Sequence, residues 1–312
     1  MSAARRPTVD EIVVISRDHG LPYSKGLMAQ SMMAAGLVPA RAYDLAKLVE
    51  GRLHERAESE IRVNVLREVA QAVLAEHENE NVIRRFRQWH RLGALDRPLI
   101  VLLGGATGTG KSTIASLAAH RLGITRVAAT DMIRQILRAC FDRNFMPAVH
   151  YSSFEVDPAV RLRAQAGEDS EMLGFLRQVE NVSSGVRALV ERTVAEGEPM
   201  VLEGVHLVPG LLPPESISGG HIVSLVLAVE DEQLHRSHIA LRGAGRSKRP
   251  SERYLKRFRT IRKLQDYLVA RAEETGVPVL YNAGLDESVA AVTETVLDAV
   301  AAVDRPPDPL TS

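Results

Sequence analysis

The chain holds a single cysteine, Cys140, among 312 residues. One thiol excludes an internal disulfide and any zinc site built from several cysteines. With nothing nearby in sequence to activate it, Cys140 reads as a small buried apolar residue. An excess of either charge is also missing, since 39 Lys and Arg balance 39 Asp and Glu. A dedicated nucleic-acid binder carries a basic surplus, so no nucleic-acid partner is expected; a local basic pocket for a small anion stays open. Long hydrophobic runs are absent too. The run Ile12–Ile15 is too short for the core of a secretion signal, and no segment approaches membrane-spanning length. A cytoplasmic protein with no membrane partner is the expectation. No internal repeat is visible.

What remains is a globular composition, 45% apolar and 25% charged, with length enough for two domains. Residues 1–95 read as a mostly helical module. A short strand over Glu11–Ser16 leads into four amphipathic patterns. Leu27, Met28, Met32 and Leu37 mark the first and Ala42, Leu45, Leu48, Val49 and Leu53 the second; the others cover Glu58–His77 and Asn81–Leu92. From residue 96 to 304 the rhythm becomes strand alternating with helix. Leu99–Leu103 is a continuous apolar run, as expected of a strand buried on both faces of a parallel sheet. Arg126–Ala129, Met200–Leu202, Ile222–Val229 and Val277–Tyr281 supply four more strands. Five strands with intervening helices predict an α/β, three-layer sandwich around a five-stranded parallel sheet. The Pro-rich stretch 305–312 reads as a disordered tail.

The strongest chemical signal follows the first buried strand. Gly105, Ala106, Thr107, Gly108, Thr109, Gly110, Lys111, Ser112 and Thr113 form a complete phosphate-binding loop, and an amphipathic helix opens at Lys111. Successive backbone N–H groups and the helix N-terminus converge there on phosphate oxygens. Lys111 suits the β- and γ-phosphates of ATP, the Ser112 hydroxyl suits Mg²⁺, and Thr113 adds a hydroxyl near the α-phosphate.

Other residues bear on what the loop is for. Asp131, after the second strand, lies where it would accept a proton from an attacking hydroxyl, or it caps the helix that follows. Glu203 ends an apolar strand in the Walker B manner and would orient the Mg²⁺ shell. His206 is either a donor to a substrate oxygen or a structural loop histidine. The stretch Leu241–Pro250 concentrates Arg242, Arg246, Lys248 and Arg249 around glycines. It reads as a mobile cationic lid, with Arg242 and Arg246 as catalytic candidates, or as an exposed polar loop. The helix expected over Ser251–Glu273 carries Arg253 and Arg262, both able to face the crevice.

On these residues the chain resembles the 2-phosphoglycerate kinases over nearly its whole length. The resemblance is carried by Gly104–Thr113, Thr130–Arg134, His150–Ser153, Gln178 and Val179, and Gly185–Arg187. Arg253–Leu255 adds to it, and Glu203–Gly210, reading Glu-Gly-Val-His-Leu-Val-Pro-Gly, carries the most. It implies transfer of a phosphoryl group from ATP, with Mg²⁺, to the 3-hydroxyl of 2-phosphoglycerate, giving 2,3-bisphosphoglycerate. That small anionic substrate needs cations; Arg134, Arg138 and Arg187 are the candidates, with Ser152 and Ser153 for hydroxyl contacts. The alternatives are a kinase for another small acidic or phosphorylated acceptor and a non-catalytic ATP-binding regulator. The first module is similar to an ATP-cone, on Arg17, Asp18, Gly20 and Pro22–Gly26. It departs from the cone's Lys-Arg-Asp-Gly run, because Ser16 precedes Arg17 and His19 separates Asp18 from Gly20. A packing or oligomerisation module is the other reading, which leaves a homo-oligomer open.

Overall fold

A computed structural model of the chain describes residues 12–16, 19–56, 58–93, 95–160, 168–211, 219–244 and 251–303. They fall into two compact units, one formed mainly by residues before 95 and one mainly by residues from 95 on. Among the described residues no helix is long and apolar enough to cross a membrane.

In the first unit, β1 (Val13–Ser16) pairs antiparallel with β2 (His19–Pro22). The helices are α1 (Lys25–Ala34), α2 (Pro39–Glu55), α3 (Val63–His77) and α4 (Glu80–Leu92). Between α2 and α3, β3 (Glu60–Arg62) adds to β1 in parallel. Ser24 and Asn79 cap α1 and α4 by accepting the N–H groups of Leu27 and Val82. Met28, Met32, Leu45, Leu53, Leu74 and Phe86 meet in one core.

Two expectations change here. His19–Pro22 is a strand rather than a lead-in, and Glu60–Arg62 is a strand inside a stretch that apolar spacing assigned to helix. Only Ile61 of β3 is buried, so three residues leave no readable period. Pairing with β1 decides the conformation, and that is tertiary information. Arg17 and Asp18 lie outside the described residues.

The second unit begins with β4 (Leu99–Gly104), buried along its whole length, followed by α5 (Lys111–Leu122). Next come β5 (Arg126–Ala129), α6 (Thr130–Cys140) and, after two short 3-10 turns, the long α7 (Ser170–Glu196). Then follow β6 (Met200–Gly204), β7 (His221–Ala228), α8 (Glu232–Ala244), α9 (Ser251–Lys256), α10 (Phe258–Thr275), β8 (Val279–Tyr281) and α11 (Leu285–Val303).

The five strands form one parallel sheet in the order β5-β6-β4-β7-β8. Ile100, Leu102, Met200 and Leu202 pack on Val182, Val186 and Val190 of α7. The chain passes from β4 to one side, then returns to the other at β7, so β4 stands at the switch point. In open α/β sheets the crevice beyond the carboxyl ends of strands at such a point receives ligands.

The single helix expected after residue 250 is two, broken at Arg257, whose φ of −105° and ψ of 18° leave the helical range. Cys140 is exposed, not buried. With Met132 and Ile136 it continues the outward stripe of α6, at helical spacing but on the solvent side. Residues 305–312 lie outside the described residues.

Candidate active site

The loop from Gly105 to Thr113 takes its shape from what surrounds it. Gly108 has φ of 89°, and a Cβ there would sit 2.5 Å from Ile239 Cγ1. Inside the loop, the Ala106 carbonyl accepts from Thr109 Oγ1 at 3.1 Å and from Lys111 Nζ at 3.4 Å. The β4–β6 register sets Leu103 beside Glu203 and Gly104 beside Gly204, so the acidic residue that ends β6 stands next to the loop. Ser112 donates its hydroxyl to Glu203 Oε1 at 2.8 Å, and Lys111 Nζ lies 3.9 Å from Oε2. That Oε2 is buried without a hydrogen-bond partner.

Beyond Glu203 the chain has no room for a side chain, since a Cβ on Gly204 would fall 1.8 Å from Thr130 Oγ1. The close approach brings Thr130, at the start of α6, against the strand carrying Glu203. It also lets Thr130 Oγ1 meet His206 Nδ1 at 2.8 Å. His206 is fully buried, and its Nε2 lies 3.0 Å from Gln178 Oε1. The Gln178 amide nitrogen donates to the carbonyls of Ala148 and Tyr151, at 2.7 and 3.0 Å. The amide oxygen therefore faces the ring and accepts from Nε2–H, which leaves Nδ1 to accept the Thr130 hydroxyl. Burial, with the Arg134 charge behind it, pushes the imidazole pKa down to about 3. His206 is thus neutral, and both ring nitrogens are engaged with the protein.

Arg134 works on the same segment. Its Nη1 donates to the carbonyls of Val149 and Tyr151, each at 2.9 Å, and its Nε donates to Asp131 Oδ1 at 2.8 Å. Gln178 and Arg134 together fasten residues 148–151. The next residues, Ser152, Ser153 and Phe154, face a cavity of about 400 Å³. Lys111, Ser112 and Glu203 line the same cavity, as do Asp131, Arg138, His150 and Arg253. Arg253 donates through Nε to Glu155 at 2.9 Å and through Nη2 to Ser152 Oγ at 3.3 Å. Its neighbour Tyr254 packs on Phe154 with ring centroids 5.1 Å apart.

The predicted residues Lys111, Ser112, Asp131, Arg134, Ser152, Ser153, Glu203 and His206 are brought around one space. Asp131 lies inside the first turn of α6, where a carboxylate also suits the positive helix end. Arg187 lines a different hollow, with Val179, Glu180, Ser183, Ser184 and Leu211. Arg262 turns to the carbonyls of Val229 and Glu230. Arg246, Lys248 and Arg249 lie outside the described residues, as does the Arg242 side chain. Sequence reasoning gave no role to Gln178, nor to His235 and Asn282. The groups they hold around the cavity and the loop lie 27 or more residues away, so no local pattern marks them.

A loop of this kind after the central strand, an acid beside it and a cation-lined cavity at the sheet's carboxyl edge define a P-loop kinase. No family model matches the chain. The 2-phosphoglycerate kinase of Methanopyrus kandleri is 38% identical over 287 residues, covering 92% of this chain and 87% of that one. Those of Methanococcus vannielii and Methanocaldococcus jannaschii are 35% and 36% identical, over 93% and 90% of this chain and 93% and 89% of theirs. The chain belongs to the 2-phosphoglycerate kinase family. Likeness to solved structures is low: shikimate kinase from Acinetobacter baumannii has a TM-score of 0.35 and 14% identity, over 68% of this chain and 97% of that one.

Proposed function

We propose that this protein transfers the γ-phosphoryl group of ATP to the 3-hydroxyl of 2-phosphoglycerate, yielding ADP and 2,3-bisphosphoglycerate. The observation that carries the reading is one cavity lined both by the loop pair Lys111 and Ser112 and by Asp131 with Arg138, His150 and Arg253. The relatives' shared name supplies the acceptor. 2-Phosphoglycerate bears a carboxylate and a phosphate, and an excess of cations over carboxylates around this space suits such an anion.

In this reading Lys111 neutralises charge on the transferring group. Asp131 orients the 3-hydroxyl and takes its proton as the new O–P bond forms and the bond to the leaving ADP oxygen breaks. Arg138, Arg253, Ser152 and Ser153 hold the acceptor. Arg134, already committed to Asp131 and to two carbonyls, aims the carboxylate and the serine segment.

A divalent cation fits the other end. Ser112 Oγ and Glu203 Oε1 lie 2.8 Å apart, and Glu203 Oε2 is buried with no hydrogen-bond partner. Among the described residues there is no cluster of three or more His, Cys, Asp or Glu side chains that would hold a metal alone. That suits Mg²⁺, which takes few protein ligands and keeps water and substrate phosphates. Ser112 and Glu203 would hold it, and it would supply charge neutralisation at the phosphates.

The test is ADP release with Mg²⁺ and ATP, comparing 2-phosphoglycerate, 3-phosphoglycerate and glycerate. Turnover should be highest with 2-phosphoglycerate. Equal turnover with glycerate would remove the role given to the cations, and no turnover with any would leave the acceptor unassigned.

A further inference from the structure

Two buried side chains from remote parts of the second unit grip the outside of the phosphate loop. His235, in α8, has no exposed surface, and its Nε2 lies 2.8 Å from the Thr107 carbonyl. A carbonyl only accepts, so Nε2 carries the proton. Nδ1 is buried with no partner, and burial holds the ring's pKa below the usual histidine range. Asn282, just past β8, donates from Nδ2 to the Thr109 carbonyl at 2.9 Å. Its Oδ1 accepts the Ser288 hydroxyl at 2.9 Å, and its own N–H donates to Ala228 O at 2.8 Å. The amide is therefore fixed in one orientation.

A trans peptide is rigid and planar, with C=O and the following N–H pointing opposite ways. Holding the Thr107 oxygen from outside therefore fixes the direction of Gly108 N–H. Holding the Thr109 oxygen does the same for Gly110 N–H. We propose that His235 and Asn282 are positioning residues for nucleotide phosphate, aiming the Gly108 and Gly110 N–H groups into the loop. They touch no substrate. The glycines are part of the same device: a Cβ on Gly108 would come within 2.9 Å of His235 Nε2, and one on Gly110 within 2.6 Å of Asn282 Nδ2.

The proposal rests on the loop being a phosphate cradle, and the two ideas fail separately. ADP with Mg²⁺ is titrated calorimetrically into the wild-type chain, K111A, H235L, H235Q, N282D and S288A. Acceptor KM and thermal unfolding are measured alongside. Leu fills the imidazole's space without a donor, whereas Gln places an amide nitrogen near the Nε2 position. H235L and N282D should weaken ADP binding by about 10- to 100-fold, the loss typical of one hydrogen bond to a charged group. H235Q should recover most of that loss, and acceptor KM should stay near the wild-type value in all three. S288A, which frees the amide to rotate, should weaken ADP binding by a smaller factor in the same direction.

If the wild type and K111A bind ADP equally, the cradle reading fails. If the wild type binds and folded H235L and S288A match it, the positioning proposal is overturned. Parallel losses in ADP affinity and acceptor KM, with no recovery in H235Q, would overturn it as well, because they indicate general loosening. Should H235L or N282D not fold, H235Q and S288A decide.

Discussion

At the loop end of the cavity nine consecutive residues, 105–113, supply the backbone cradle, the lysine and the Ser112 hydroxyl. At the end proposed for the acceptor, residues from four separate stretches, around 130–138, 150–154, 204–206 and 253–254, face the same space. The first end is local, and its side chains come from one stretch of chain. The second is assembled: several side chains that shape it face other parts of the protein. Gln178 and His206 are buried and spend every mapped polar contact on Thr130, on each other or on the 148–151 backbone. Burying polar groups is unfavourable unless they are fully paired. A core that carries such a chain has it for what the chain positions, here the segment leading to Ser152 and Ser153.

The largest effect should come from the local end. Lys111→Ala should lower kcat about a thousandfold or more, since it removes the cation proposed to neutralise the transferring group. Circular dichroism should be unchanged. Turnover within about tenfold of the wild type would make the two ends equally dispensable and remove the loop assignment. Asp131→Asn comes next, at the join between the ends. Its kcat should fall by about 10²–10⁴, the usual worth of a general base, while the Kd for ADP stays put. Equal losses in both would return Asp131 to a helix-terminus role.

The same contrast explains what the sequence made legible. Leu99–Leu103, the three loop glycines and Lys111 signal strand, turn and helix within a short window, so the fold and the course of the loop were readable. So was the place of Glu203 at a strand end beside the loop, because an acid closing an apolar run is a local pattern. The acceptor end was readable only as residue types. Arg134 is a candidate cation for an anionic substrate by residue type, but its guanidinium is taken up by Asp131 and two carbonyls. His206 looked able to touch substrate, but both nitrogens face the protein. Cys140 looked buried because nothing nearby activates its thiol, but the lack of a reactive setting does not say which side of a helix meets the core. In the first unit β3 was missed for a related reason: its conformation is set by β1, some 45 residues earlier in the chain.

Two substitutions sharpen the assembled end. Gln178→Leu keeps the volume and removes the bonds of Gln178 to Ala148, Tyr151 and His206, while those of Arg134 to the same segment remain. Acceptor KM should rise by about tenfold with ATP KM nearly unchanged, and stability should fall by about 1–3 kcal/mol as carbonyls lose donors. A loss confined to ATP KM would assign Gln178 to the other end.

His206 gives a pH signature. The unfolded ring titrates near 6.5 and the folded one near 3. Below pH 6.5 the unfolded chain therefore binds a proton that the native chain refuses. The stability it contributes is complete above 6.5 and is lost as pH falls toward 3. The slope approaches about 1.4 kcal/mol per pH unit for one proton. Urea unfolding at stepped pH should show this slope in the wild type and lose that much of it in His206→Gln. Carboxylates contribute to acid loss in both proteins, so the difference isolates the ring. Identical slopes would mean the ring protonates in place.

The smallest effect is the most direct test of where the acceptor end stops. Arg187 belongs to the family-like stretch Gly185–Arg187 and has the charge an anionic acceptor wants, yet it lines the hollow with Glu180, Ser183, Ser184 and Leu211. Lys111, Asp131, Arg138, Ser152 and Arg253 share the other cavity. Arg187→Ala should therefore leave acceptor KM and kcat within about twofold of the wild type, the range of substitutions remote from a site. Arg253→Ala, measured beside it, should raise acceptor KM by about tenfold or more, since it takes a charged donor from the space itself. The opposite ranking would mean that the acceptor extends along α7, and the boundary drawn by the lining of the cavity would have to move with it.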